Sequence, residues 1–314
     1  MKTSLPYLRD SYKDGSALKE RHFTTEDALY FYKSFRPKSA VPKEMIQNVN
    51  SVKQIDKLFK LKGIQFGNWV TTEDKYNYLA LTYLCLKDIN KVLKFKDENM
   101  GLNGLLAFSF GARGVSSALA HYESNHQVIN ITRYWRTDKI NRIRIALGQA
   151  PIRDIPKETR LLKTGGAGSM AHEYGHFLDY SFGRYRDQHK ESNWLSGVYR
   201  TTKRTVEYSK NHVLRNKMNK VINTALNDKK GNPSAYYKRI APKNEGQSEY
   251  WTRRLEVFAR IFEQYISYKL DKMNINNRFL SKTVYKSSVY LKPNEFKSII
   301  KPMDDLIKEM RKHV

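Results

Sequence analysis

The run AHEYGHFLDY, residues 171–180, constrains this chain more than any other stretch. On a helix, residues four apart project from nearly the same side. His172 and His176 would then present two imidazoles able to share one zinc ion at about 2.0–2.1 Å. Glu173, one position on, would face the space beside the metal. There a carboxylate can take a proton from an attacking water and pass it to a leaving amine. The glycines and Ser169 of TGGAGS suit the start of such a helix, and the chain reaches Gly183 at its end. Met170, Ala171, Tyr174 and Phe177 can pack behind the motif.

Two histidines do not complete a catalytic zinc site, which uses three protein ligands and leaves the fourth position open. Asp179 lies on the same stripe as the histidines. It can ligate, or it can orient a histidine from outside the first sphere. On a straight helix it stands about 10 Å along the axis from His172, too far for a short side chain to share an ion held between the histidines. The run RRLEVFARIFEQYI, residues 253–266, offers a better third ligand. Leu255, Phe258, Ala259, Phe262 and Ile266 form an apolar stripe, so the helix is predicted to pack in the core. Glu256 sits at its N-terminal end, off the stripe. A carboxylate at the start of a buried helix needs a partner, and zinc is a good one; compensation of the helix dipole is the plainer alternative. Glu263 lies on the same side two turns later and has Arg260 or another basic residue as its expected partner.

Elsewhere the pattern predicts an α+β chain. A helix should begin near Glu73, with Leu79, Tyr83, Leu86 and Leu93 at helical spacing. LLAFSF, ALAHYE and QVINITR read as strands within 105–133, the last two forming a hairpin around SNH. His121 on the second of these either borders the cleft or is a hydrogen-bonded structural histidine. The helix at about 168–181 is expected to lie under this small sheet, and the remainder to be mostly helical, with helices near 252–268 and 293–311. Residues 1–60 look like an accessory segment, with the main domain over 61–314.

Four motifs in register carry a resemblance: GIQFGNWVTTEDK, FGARGVSSALAHYESNHQVINITR, GAGSMAHEYGHFLDY and EYWTRRLEVFARIFEQYI. They strongly resemble the zincin-like metallopeptidase domain of the large polyvalent proteins of phages and conjugative elements. VYLKPNEFKSIIKPMDDLIKEM is similar to that family's closing helix. The H-E-x-G-H-x-x-D and E-x-F-A-x-x-F pair is also similar to the catalytic domain of anthrax lethal factor. The resemblance implies a zincin-like fold with His172, His176 and Glu256 holding Zn2+, Glu173 as the catalytic base, and a nearby tyrosine. Tyr250 is the closest match to that tyrosine, one position off the spacing. The implied activity is zinc-dependent peptide hydrolysis, and the implied partner is a polypeptide substrate. The chain departs from the family by a basic insertion at about 134–162, with seven Arg/Lys against three Asp/Glu.

Charge adds a second class of partner. With 57 Lys+Arg against 31 Asp+Glu the formal net charge is +26, which attracts polyanions, nucleic acid first. Trp69, Tyr134, Trp135, Trp194 and Tyr199 stand near basic residues, as aromatic side chains that stack on single-stranded bases do, although amphipathic packing is the commoner use. A basic nucleic-acid-binding accessory protein with a zincin fold and little turnover is therefore the rival reading. Cys85, the single cysteine, excludes an intrachain disulfide framework and a cysteine-built zinc site. No run approaches the ~18 apolar residues of a membrane span, and the opening residues hold no apolar leader core. A cytoplasmic protein of a bacterial host, or one carried in with a mobile element, is the expectation.

Overall fold

The computed structural model describes residues 52–67, 72–112, 120–131, 145–149, 168–186, 193–197, 200–201, 204–205, 213–244, 248–282 and 284–314. The accessory segment up to residue 51, most of the 134–162 insertion, and Trp69, Tyr134, Trp135 and Tyr199 lie outside these. The fold is α+β and mostly helical, built around one small mixed sheet.

That sheet has four strands in the order β1-β2-β4-β3. They are β1 (Gly63–Phe66), β2 (Ala107–Phe110), β3 (Ala120–Glu123) and β4 (Val128–Ile131). β1 runs parallel to β2 and β2 parallel to β4, whereas β3 is antiparallel to β4 with Ala120 opposite Ile131. The predicted hairpin is therefore present. β1 is a strand that the sequence pattern did not single out. β2 and β4 are buried along their whole length, as strands covered on both faces are, and are apolar apart from the buried Ser109 and Asn130. β3, at the edge, is half-buried.

Helix α1 (Val52–Phe59) precedes β1, and α2 (Thr72–Leu93) follows it. Ile55 and Phe59 of α1 enter the same core as α2, with the Phe59 ring 5.9 Å from that of Tyr83. Cys85 is fully buried within α2, as a small core residue. Helix α3 (Met170–Ser181) carries the histidine motif and packs against β3 and β4. Its first turn leaves backbone N–H groups without intrahelical partners. A carbonyl of a distant loop partners one of them, Ala171 N donating to Leu280 O at 2.8 Å, and just before the helix Gly168 N donates to Phe279 O of the same loop at 2.9 Å. The helix ends in a single π turn at 182–186. Gly183 lies in that turn because the loop 193–197 crosses it, and a Cβ there would fall 2.4 Å from Leu195 N.

Beyond a short β5–β6 pair (Arg200–Thr201 and Arg204–Thr205) come α4 (Val213–Leu226), α5 (Ala235–Ile240), a 3-10 turn (Glu249–Thr252), α6 (Arg254–Asp271) and α7 (Pro293–Met310). α4, not among the helices placed from the sequence, buries Leu214, Met218, Val221, Ile222 and Ala225. α7 begins at Pro293 as predicted, and Glu295 returns its carboxylate to Lys292 N at 2.7 Å.

The crossing of α3 over α6 positions the site. It is close because Gly175 offers no side chain: a Cβ at that position would lie 3.2 Å from Phe262 Cδ1 and 3.3 Å from Ala259 Cα. α6 is buried on every side from Glu256 to Ile266, not on one stripe only. Its polar residues in that span must therefore find partners inside the protein.

Candidate metal centre

α3 and α6 bring His172, His176 and Glu256 together. One donor atom from each lies within 4.8 Å of the others. His172 Nε2 stands 3.5 Å from Glu256 Oε2, and His176 Nε2 stands 3.5 Å from Glu256 Oε1. A tetrahedral zinc with bonds of about 2.0–2.1 Å has ligand–ligand edges of about 3.3–3.4 Å, so two of the separations already approach that spacing. Glu256 is 6% exposed, and its Oε2 is buried with no hydrogen-bond partner. A buried carboxylate oxygen left in this state is costly, and a cation between it and the imidazoles removes the cost. The residues present fit a metal ion.

Without a metal, the three groups form an ion-pair cluster. Burial opposes charging of His172, but the Glu256 and Glu263 carboxylates outweigh it and push its pKa up to about 9. Burial likewise works against ionisation of Glu256, and the two imidazoles overcome it, holding this carboxyl well below the usual range. Metal uptake near neutral pH must therefore displace a proton from His172.

The outer contacts differ from those read in the sequence. Glu263, fully buried, points its Oε2 at His172 Nδ1 at 3.7 Å and accepts a hydrogen bond from Tyr290 Oη at 2.8 Å. Lys282 Nζ lies 3.7 Å from its other oxygen. Of the basic partners expected for Glu263, the structure supplies Lys282 rather than Arg260. Glu263 is thus the carboxylate that backs His172. Its i+7 spacing from Glu256 was the available signal, but Lys282 and Tyr290 come from the loop between α6 and α7 and left none.

Asp179 is fully buried and turns away from the histidines. Its oxygens accept from Ser196 N at 2.7 Å and Ser196 Oγ at 2.6 Å. Burial pushes its pKa up to about 6, with the Ser196 hydrogen bonds working the other way. Those bonds pin the loop 193–197. The loop sets the Trp194 ring 6.0 Å from His176, nearly perpendicular to it. His176 Nδ1 itself is buried without a partner. Asp179 therefore bears on His176 through an indole rather than through a hydrogen bond.

Glu173 is 6% exposed and lines a cleft of about 490 Å3 together with His172, Glu256 and Tyr250. Ala120 of the edge strand β3 forms part of the same wall. Tyr250 sits on the 3-10 turn, 38% exposed. Burial first, then the nearby Glu256 carboxylate, hold its phenol above the ordinary tyrosine range, so it is a proton donor at neutral pH. His121 is outside the cleft and meets Glu123 Oε1 at 3.2 Å. A second cavity, of about 440 Å3, opens between the end of α6 and the start of α7 and holds none of the predicted site residues.

Residues 243–314 match the family model Large polyvalent protein-associated domain 1. The match supports the link to large polyvalent proteins seen in the sequence. It covers α6 with Glu256 and all of α7, and stops short of the helix bearing the histidines. No curated protein and no solved structure matches the chain. Among the described residues no helix is long and apolar enough to cross a membrane.

Proposed function

We propose that this protein is a zinc-dependent peptidase of a phage or conjugative element, with a zincin-like fold. The observation that carries the reading is convergence: two histidines and a glutamate on crossing helices meet at one point, and two of them, His172 and Glu256, line a cleft together with Glu173. His172, His176 and Glu256 would hold the ion. Zinc there would polarise a carbonyl and lower the pKa of water to roughly 7. Glu173 receives the proton of the attacking water and delivers it to the amine that leaves. Tyr250 offers its hydroxyl to the oxygen that gains charge in the transition state. Glu263 holds His172 in the tautomer that keeps Nε2 free for the ion.

Purification without added metal should yield close to one zinc per chain by elemental analysis. His172→Ala and His176→Ala should each lose most of it. A double variant that keeps its zinc would place the metal elsewhere.

The net charge of +26 supports a second reading, a nucleic-acid-binding protein on the same fold. On it, non-specific DNA or RNA should bind with Kd about 10⁻⁴–10⁻⁶ M near physiological salt and weaken steeply as salt rises. Fluorescence anisotropy across a salt series checks this. No binding at low salt removes nucleic acid from the partners.

A further inference from the structure

The same face of α6 that carries Glu256 and Glu263 carries Arg260 between them, and all three line the cleft. Arg260 is 1% exposed. Its Nη2 donates to Trp251 O, and its guanidinium lies 5.4 Å from the centre of the Trp251 ring. Its Nε and Nη1 are buried with no hydrogen-bond partner. The Tyr236 phenol gives its proton to Val289 O at 2.9 Å, and its oxygen interacts with the Arg260 guanidinium but, being neutral, brings no countercharge of its own. Arg215, the other fully buried arginine among the described residues, differs: its Nη1 reaches the carbonyls of Trp194 and Leu195, and it does not line the cleft.

A buried guanidinium with two idle N–H donors is costly to keep unless something occupies it. The same features make it a strong receptor. It is already desolvated, its planar fork matches a carboxylate, and its orientation is fixed by Trp251. Lys286, exposed at the rim of the cleft, adds a second cation. Three cations (Arg260, Lys282 and Lys286) and three carboxylates (Glu173, Glu256 and Glu263) line the wall, before the two positive charges of a bound metal. The loaded cleft is therefore positive. Along α6, Arg260 is about 6 Å beyond Glu256. An extended peptide advances about 3.3–3.6 Å per residue. A carboxylate seated on Arg260 thus belongs to a residue within about two positions of the bond held at the metal ligands.

We propose that this cleft selects peptides bearing a carboxylate within about two residues of the cleaved bond, anchored on Arg260 and assisted by Lys286. The carboxylate is either an Asp or Glu side chain or a free C-terminus. The inference rests on the peptidase reading, and its test separates the two.

Matched peptides differing only in Glu against Gln, and in a free against an amidated C-terminus, would be compared by kcat/KM with the zinc-loaded protein. We expect a preference of about 10–100-fold for the carboxylate member of one of the two pairs, since charge-assisted bidentate contacts discriminate strongly. The pair that shows it identifies the source. Arg260→Met should collapse the ratio towards one, and Lys286→Ala should lower it several-fold. Should Arg260→Met fail to fold, Arg260→Lys keeps the charge but loses the fork, and the ratio should again fall. Peptide cleavage with no carboxylate preference overturns the anchor and leaves the peptidase standing. If no peptide is cleaved, calorimetry with glutarate and the zinc-free protein decides. Binding that is lost in the Arg260 variant upholds the anion site without the peptidase, and no binding overturns the site as well.

Discussion

The Glu173→Gln protein is expected to keep its full zinc content and to lose peptide hydrolysis by about 10²–10⁴-fold. Glutamine is nearly isosteric, so the packing of a side chain only 6% exposed should survive the change. What disappears is the basic oxygen that accepts the proton. Metal content and turnover of a mixed fluorogenic peptide pool, measured on one preparation, give the comparison. Turnover near the unsubstituted level would exclude Glu173 as the base. The variant should also retain uncleaved substrate, because the ligands and the cleft wall are unchanged. That makes it the best bait for identifying the natural target.

The second large effect separates the carboxylates around the metal. Glu256→Ala should lower zinc affinity by orders of magnitude, since it removes one of three ligands. Glu263→Gln should cost about 10–100-fold, as changes to residues behind a ligand do. Asp179→Asn should leave the affinity within about tenfold and instead cost about 1–3 kcal/mol of stability, because an amide placed against Ser196 loses a buried hydrogen bond. Competition with a chromogenic chelator ranks the affinities, and urea unfolding gives the stability. If Asp179→Asn strips the metal while Glu256→Ala leaves it bound, the ligand assignment is wrong. The pH dependence has a definite sign. His172, whose pKa is raised to about 9 in the metal-free protein, must shed a proton on binding. Apparent affinity should therefore climb about tenfold per pH unit between pH 7 and 9 and flatten above it.

The parts of this fold that were legible in the sequence are those whose residues carry their own periodicity. The histidine helix, the helix of Glu256, the β3–β4 hairpin and the closing helix from Pro293 all announced themselves through spacing and caps. β1 did not, because GIQF is closed in by Lys62 and Gly67, whereas the other strands lie within the longer runs LLAFSF, ALAHYE and QVINITR. α4 carries such a spacing as well, in Leu214, Met218, Val221 and Ile222, but was covered only by the general expectation of a mostly helical remainder. At the site, the pairing of His172 with His176 follows from helical spacing, and Glu256 was a candidate from its place at the start of a buried helix and from the resemblance. The partners of Glu263 and Asp179 follow from neither. Tyr290, Lys282 and Ser196 sit on loops whose course depends on the packing of the whole domain, and a loop has no repeat to read.

On the proposed metal site, the near-contact of α3 and α6 at Gly175 has a consequence for how an ion would be acquired. The helices are held together by Phe262, Ala259 and the apolar core around them, and no ion is needed to join them. The donor atoms converge in a scaffold that supports itself, unlike small zinc modules that remain unfolded until they are loaded. Chelation should empty such a scaffold without melting it, and resupply should refill it. On the peptidase reading, the folded chain would then accumulate in a dormant form, its working fraction following metal supply rather than the rate of its own synthesis.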